Sequence, residues 1–79
     1  NKGQITGRVT NDQGRGLFEA YVSSDDGAFD YTDVNGDYQL FVLPGNRVLT
    51  AIAIGYSNQS KKQAVETNRW YFIDFELSQ

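Results

Sequence analysis

The pair Asn35-Gly36 stands between two short stretches, residues 29–34 and 37–43, in which apolar and polar side chains alternate. An Asn-Gly pair flanked in this way is the strongest short-range signal for a two-residue hairpin, because a type I′ turn needs positive φ at both central positions. Pro44-Gly45-Asn46 breaks the returning strand, and residues 47–54 follow as the most apolar run, closed by Gly55-Tyr56. Both faces of that run are apolar, with Leu49, Ala51 and Ala53 against Val48, Ile52 and Ile54. Residues 32–56 thus read as turn, strand, turn, strand. Asn35-Gly36 is expected to set the register, Pro44-Gly45 to reverse the chain, and Tyr38 and Tyr56 to anchor the core.

The rest of the chain has the same period. Residues 4–10 place Ile5, Gly7 and Val9 on one face, and residues 17–23 place Ala20 and Val22 together. Residues 61–66 form a weaker, edge-like strand that begins with two lysines. Residues 70–77 set Tyr71, Ile73, Phe75 and Leu77 against Trp70, Phe72, Asp74 and Glu76. Turn formers separate these runs, and no helical period appears. The expectation is an all-β fold: a seven-stranded antiparallel two-sheet sandwich, as a single domain over residues 1–79. A chain this short buries only about 60–65% of its unfolded surface. Its eleven aromatic residues supply a core without disulfides.

Several function classes are hard to build from this composition. With no cysteine, neither a disulfide framework nor a thiolate zinc site can form. With no histidine, the commonest general base and metal ligand is missing. A net charge of −3 with scattered basic residues argues against nucleic acid. No apolar run approaches the roughly 20 residues of a membrane span. The polar start, Asn1-Lys2-Gly3-Gln4, does not read as a signal peptide, and a strand pattern beginning so early is expected of a domain excised from a longer chain.

The punctuation of the strands resembles the transthyretin-like (prealbumin-like) domain of the carboxypeptidase regulatory-like family. The matching residues are Gly7-Arg8-Val9, then Gly14, Leu17, Ala20 and Val22, then Thr32-Asp33, Gly36-Asp37-Tyr38, Leu40 and Leu43-Pro44-Gly45. Leu49, Ala51, Ala53, Gly55-Tyr56 and the closing Asp74-Phe75-Glu76-Leu77 complete the set. Three positions depart from the pattern: Gly16 where proline is frequent, Arg47 where an aromatic is frequent, and Glu19 where glycine is frequent. The resemblance implies an accessory module, without catalytic residues of its own, in an extracellular, periplasmic or cell-surface protein.

The acidic turn Asp33-Val34-Asn35-Gly36-Asp37 has the alternating oxygens of a calcium loop. An EF-hand would then need glycine and a carboxylate where Tyr38 and Pro44 stand, so a structural turn accounts for it better. Asp25, Asp26, Asp30 and Asp33 likewise read as solvated turn residues. Asp74 and Glu76, two apart on one strand face, read better as solvated outer positions than as an acid/base pair. Neither catalysis nor a metal or other cofactor is expected. Asn58-Gln59-Ser60 is a glycosylation sequon, meaningful only in a eukaryotic secreted chain.

The candidate site is a surface. With Tyr38, Leu40, Leu49, Ala51, Ala53, Phe75 and Leu77 in the core, Phe41, Leu43, Val48, Ile52, Trp70 and Phe72 are left pointing outward. A contiguous patch of this kind marks an interface. The expected partner is a neighbouring domain of the parent protein, another protein, or a second copy of the chain. An aromatic platform of Trp70, Phe72 and Tyr21 for sugar rings is the alternative.

Overall fold

The computed structural model describes residues 1–79 and consists wholly of strands and turns. The strands are β1 (Gly3–Asn11), β2 (Tyr21–Ser24), β3 (Phe29–Tyr31), β4 (Asp37–Val42), β5 (Gly45–Ile52), β6 (Gln59–Val65), β7 (Trp70–Phe72) and β8 (Phe75–Leu77). Two four-stranded sheets result. In the first, β1 is central, with β4 antiparallel on one side and β7 and β8 parallel on the other. The second runs β3-β2-β5-β6, with every neighbour antiparallel. The pairing is therefore mixed, where a wholly antiparallel fold was expected.

The alternation seen in the sequence decides which side chains fill the space between the sheets. Ile5, Val9, Leu40, Val42 and Phe75 come from the first sheet, Val22, Leu49 and Ala51 from the second, within one cluster of 13 buried apolar residues. Ala53 and Tyr56 pack against this cluster while only partly buried. The expected core is otherwise found where the period places it.

Eight strands stand where seven were expected, because residues 70–77 break in the middle. Along β1, Gln4 N–H donates to the Arg69 carbonyl, and Thr6 accepts from Ile73 N–H. Continuing this parallel ladder would send Arg8 N–H to the Ile73 carbonyl. That carbonyl instead accepts the buried Tyr38 hydroxyl at 2.5 Å, and Arg8 N–H turns to the Asp74 carboxylate at 2.9 Å. Only glycine permits this, since a Cβ on Gly7 would stand 1.7 Å from the Ile73 carbonyl oxygen. The register is the same on either side of the break, from Gln4↔Trp70 to Val9↔Phe75.

The second strand starts at Tyr21 rather than Leu17. Buried Thr32 holds residues 17–20 out of the ladder: its hydroxyl accepts Ala20 N–H at 2.8 Å and donates to the Leu17 carbonyl at 2.5 Å. Between these contacts Glu19 adopts a left-handed φ of 61°.

Both turns of residues 32–56 also differ from expectation. Asn35-Gly36 is not a type I′ pair, since only Gly36, at φ 88°, has positive φ. Gly36 N–H donates to the Asp33 carbonyl and Asp33 N–H to the Asp37 carbonyl, the pattern of a three-residue loop ending in a left-handed glycine. Upstream of it, β3 leaves for the second sheet while β4 joins the first. Leu43-Pro44 likewise carries the chain from β4 in one sheet to β5 in the other. Each turn crosses between layers, so neither sets a hairpin register.

Burial, reinforced by the negative charge of Asp74, pushes the Tyr38 hydroxyl well above the usual tyrosine range. The folded-state value lies above the unfolded one, so this contribution is complete below about pH 10 and declines as pH rises further. Tyr38→Phe is expected to cost about 1–3 kcal/mol in urea unfolding, because it leaves a buried carbonyl short of a partner, and to flatten the alkaline loss of stability. Gly7→Ala should cost about 3 kcal/mol or abolish folding. Glu19→Gly should raise stability by about 0.5–1 kcal/mol, since relief of left-handed strain exceeds the added chain entropy.

Candidate functional site

The six apolar residues expected on one outer surface divide between two. Phe41, Trp70 and Phe72 belong to the outer side of the first sheet and Leu43 is exposed just past the end of β4, whereas Val48 and Ile52 lie on β5 in the second. The layer crossing at Leu43-Pro44 is the cause, because it puts consecutive β4 and β5 back to back. Val48 is also half-buried. On the first sheet, Gln4 pairs with Phe41 on one side and Trp70 on the other, and Thr6 pairs with Gln39 and Phe72. Neighbouring strands stand about 4.8 Å apart, so Phe41 and Trp70 rise about 10 Å from each other with an amide between them. Trp70 and Phe72 are 73% and 81% exposed, while Tyr71 between them packs partly buried against the core. This is an interleaved surface of rings and polar groups.

A second aromatic group was not separated by sequence reasoning. Tyr21, Phe29 and Tyr31 cluster on the outer side of β2 and β3, with ring centroids 5.3, 5.9 and 6.3 Å apart. Tyr21 pairs with Tyr31 across the ladder and with Ile52 on its other side. The sugar platform expected from Trp70, Phe72 and Tyr21 is therefore not assembled, because Tyr21 faces away on the opposite sheet. Pairing residues 17–23 with 29–34 as a hairpin around Ser24–Gly27 was the available signal for this cluster.

The acidic residues have a backbone role. β4 is an edge strand, and carboxylates take two of its outward N–H groups and that of the residue just past it: Asp37 by Asp33 at 3.0 Å, Gln39 by Asp30 at 2.9 Å, and Leu43 by Asp26 at 2.7 Å. Asp33 also accepts Asn35 N–H, so its carboxylate is occupied by the turn. No three acidic side chains gather closely enough to hold a metal ion. Burial would raise the Asp26 carboxyl, but the Leu43 and Ala28 N–H groups, the Ser24 hydroxyl and the Arg47 charge outweigh it and hold it below the usual carboxylate range. Arg47, near the start of β5, lies 3.6 Å from Asp25.

The opposite seam is closed by the reverse chemistry. Lys61 of β6 donates its ammonium to the Asp74 carbonyl and lies over the Phe75 ring, while Glu76 N–H donates to the Gln59 side chain at 3.2 Å. Asp74 is exposed, and its carboxylate accepts Arg8 N–H at 2.9 Å. Gly45 and Gly55 supply positive φ at the two ends of the β5 region, and Tyr56 N–H closes a turn onto the Ala53 carbonyl. The remaining turn residues, Asn35, Gly36 and Pro44, serve the layer crossings described above.

Compared against models of known protein families, the chain matches none.

The Asp26 value is lower folded than unfolded, so its contribution is present above about pH 4 and is lost as pH falls through the depressed value. Asp26→Ala should cost about 1–2 kcal/mol at pH 7, through the lost acceptor for Leu43 N–H. The loss should shrink towards pH 2, as read by urea midpoints across the acid range.

Proposed function

We propose that the chain is a non-catalytic β-sandwich module of the transthyretin-like, carboxypeptidase regulatory-like kind, serving as a docking or spacing unit within a larger secreted or cell-surface protein. The observation that carries the docking role is the outer side of the first sheet. Trp70 and Phe72 are largely exposed there, across Gln4 from Phe41, while the opposite faces of β1 and β4 fill the core. Rings that contribute nothing to a folded interior, grouped on one face, are the usual mark of an interaction surface.

The residues behind the resemblance have roles in keeping with it. Gly7 admits the Ile73 carbonyl, Thr32 pins residues 17–20, and Tyr38 closes the break between β7 and β8. Glu19, standing where that family often has glycine, holds a left-handed φ. A second reading, binding of a glycan, is favoured by the interleaving of Gln4 and Thr6 among the rings, since sugars present both apolar faces and hydroxyls.

Trp70→Ala and Phe72→Ala should leave the urea midpoint within about 0.5 kcal/mol of the parent, both side chains being exposed. Each should weaken association with the neighbouring domain of the parent protein at least tenfold, measured by calorimetry. A glycan array that is positive for the parent chain and negative for Trp70→Ala would select the second reading. Hydrolysis of a peptide or ester, abolished by changing Asp74 or Glu76, would overturn both.

A further inference from the structure

The four sheet edges are not treated alike. Carboxylates take the Asp37, Gln39 and Leu43 N–H groups along the β4 edge, Lys61 and Gln59 reach the Asp74 carbonyl and Glu76 N–H at β8, and β3 and β7 are only three residues long. β6 runs for seven residues and carries no proline or bulge.

The direction of its backbone groups follows from the ladder. Asp25 N–H donates to the Val48 carbonyl at 3.0 Å, so Val48 and Thr50 turn towards β2. Arg47, Leu49 and Ala51 then turn towards β6 and engage Gln63, Lys61 and Gln59. The alternate residues Ser60, Lys62 and Ala64 must present their backbone to solvent. None of their three N–H groups has an acceptor within the chain. The Ala64 carbonyl is taken by the Gln63 side chain at 2.8 Å, leaving those of Ser60 and Lys62. Three donors and two acceptors remain, in the order that an added strand would meet.

The charge at this edge limits what can pair with it. Lys61 and Lys62 are its only ionised side chains, and no carboxylate lies on β6. The nearest along the chain, Glu66, is paired with Arg69 at 3.6 Å. A second copy pairing antiparallel about the centre of this edge would set Lys62 against Lys62, which is unfavourable for directly opposed residues. An acidic strand meets the opposite situation.

We infer that the outer edge of β6 is a docking edge for an extended acidic segment of a partner protein, which adds to the second sheet as an antiparallel fifth strand. Backbone bonds to Ser60, Lys62 and Ala64 hold the segment, and carboxylates opposite Lys62 select it. The surface is separate from the Trp70–Phe72 face, so the two can fail independently.

The test is an amide-resolved NMR titration with a peptide as long as β6 that alternates Glu with Val, beside its Lys-for-Glu counterpart. The acidic peptide should give saturable shifts and slowed exchange centred on the Ser60, Lys62 and Ala64 amides, weakening with added salt. The basic peptide should give neither. Lys62→Pro removes an outward N–H without touching the β5 ladder and should reduce the affinity at least tenfold. Lys62→Glu, which retains the backbone, should reverse the preference towards the basic peptide. Trp70→Ala should leave binding unchanged. Absence of acidic-peptide binding, shifts centred on Trp70 and Phe72, or protection of the same amides by self-association without peptide would each overturn the inference.

Discussion

The first sheet depends on the meeting of Tyr38, Ile73 and Gly7. One carbonyl leaves its ladder to take a buried hydroxyl, and the missing side chain on β1 provides the space. Asp74 repairs the ladder by accepting the stranded Arg8 N–H, and the same acid adds its charge to the burial of the phenol. The contact joins β4, β1 and the C-terminal strands at one point, which is why the register passes through the break unchanged. A domain this small has few such points, and each one carries a large share of a modest total stability.

Away from that point, the sandwich is closed by side chains bonded to backbone along its two seams. Carboxylates accept the Gln39 and Leu43 N–H groups along β4, a lysine bonds the Asp74 carbonyl and a glutamine takes the Glu76 N–H of β8. Exposed strand edges invite pairing with other chains, and inward-reaching charges are one way of preventing it. The acidic residues of the turns are thereby explained without a ligand. The uncapped, basic edge of β6 stands out against this background, since its lysines discourage a second copy while leaving the backbone groups open.

The two outer faces differ in character. On the first sheet, rings alternate with Gln4, Thr6 and Gln39. On the second, three aromatic rings touch one another at the β2–β3 corner beside Ile52. The stacked and edge-on contacts among Tyr21, Phe29 and Tyr31 satisfy these rings mutually, as aromatic cross-strand neighbours do in sheets. Trp70 and Phe72 make no such ring contacts, and their exposed faces remain open to a partner.

Much of the fold was legible in the order of residues alone. A period of two separates Ile5, Val9, Leu40, Leu49, Ala51, Phe75 and Leu77 from the solvent, because side chains on a strand alternate and water sorts them. The positions of the breaks near residues 36, 45 and 55 were legible too, since glycine and proline restrict the backbone locally. Alternation does not say which sheet a strand joins. That is decided by contacts between residues far apart: Thr32 with Leu17, Tyr38 with Ile73, Asp26 with Leu43. The sequence by itself therefore determined which residues face outward, with the exception of half-buried Val48, and only the tertiary structure decided that Trp70 and Tyr21 look in opposite directions. The physical reason is that both turns of residues 32–56 cross between layers, and a local turn signal carries no information about the layer it enters.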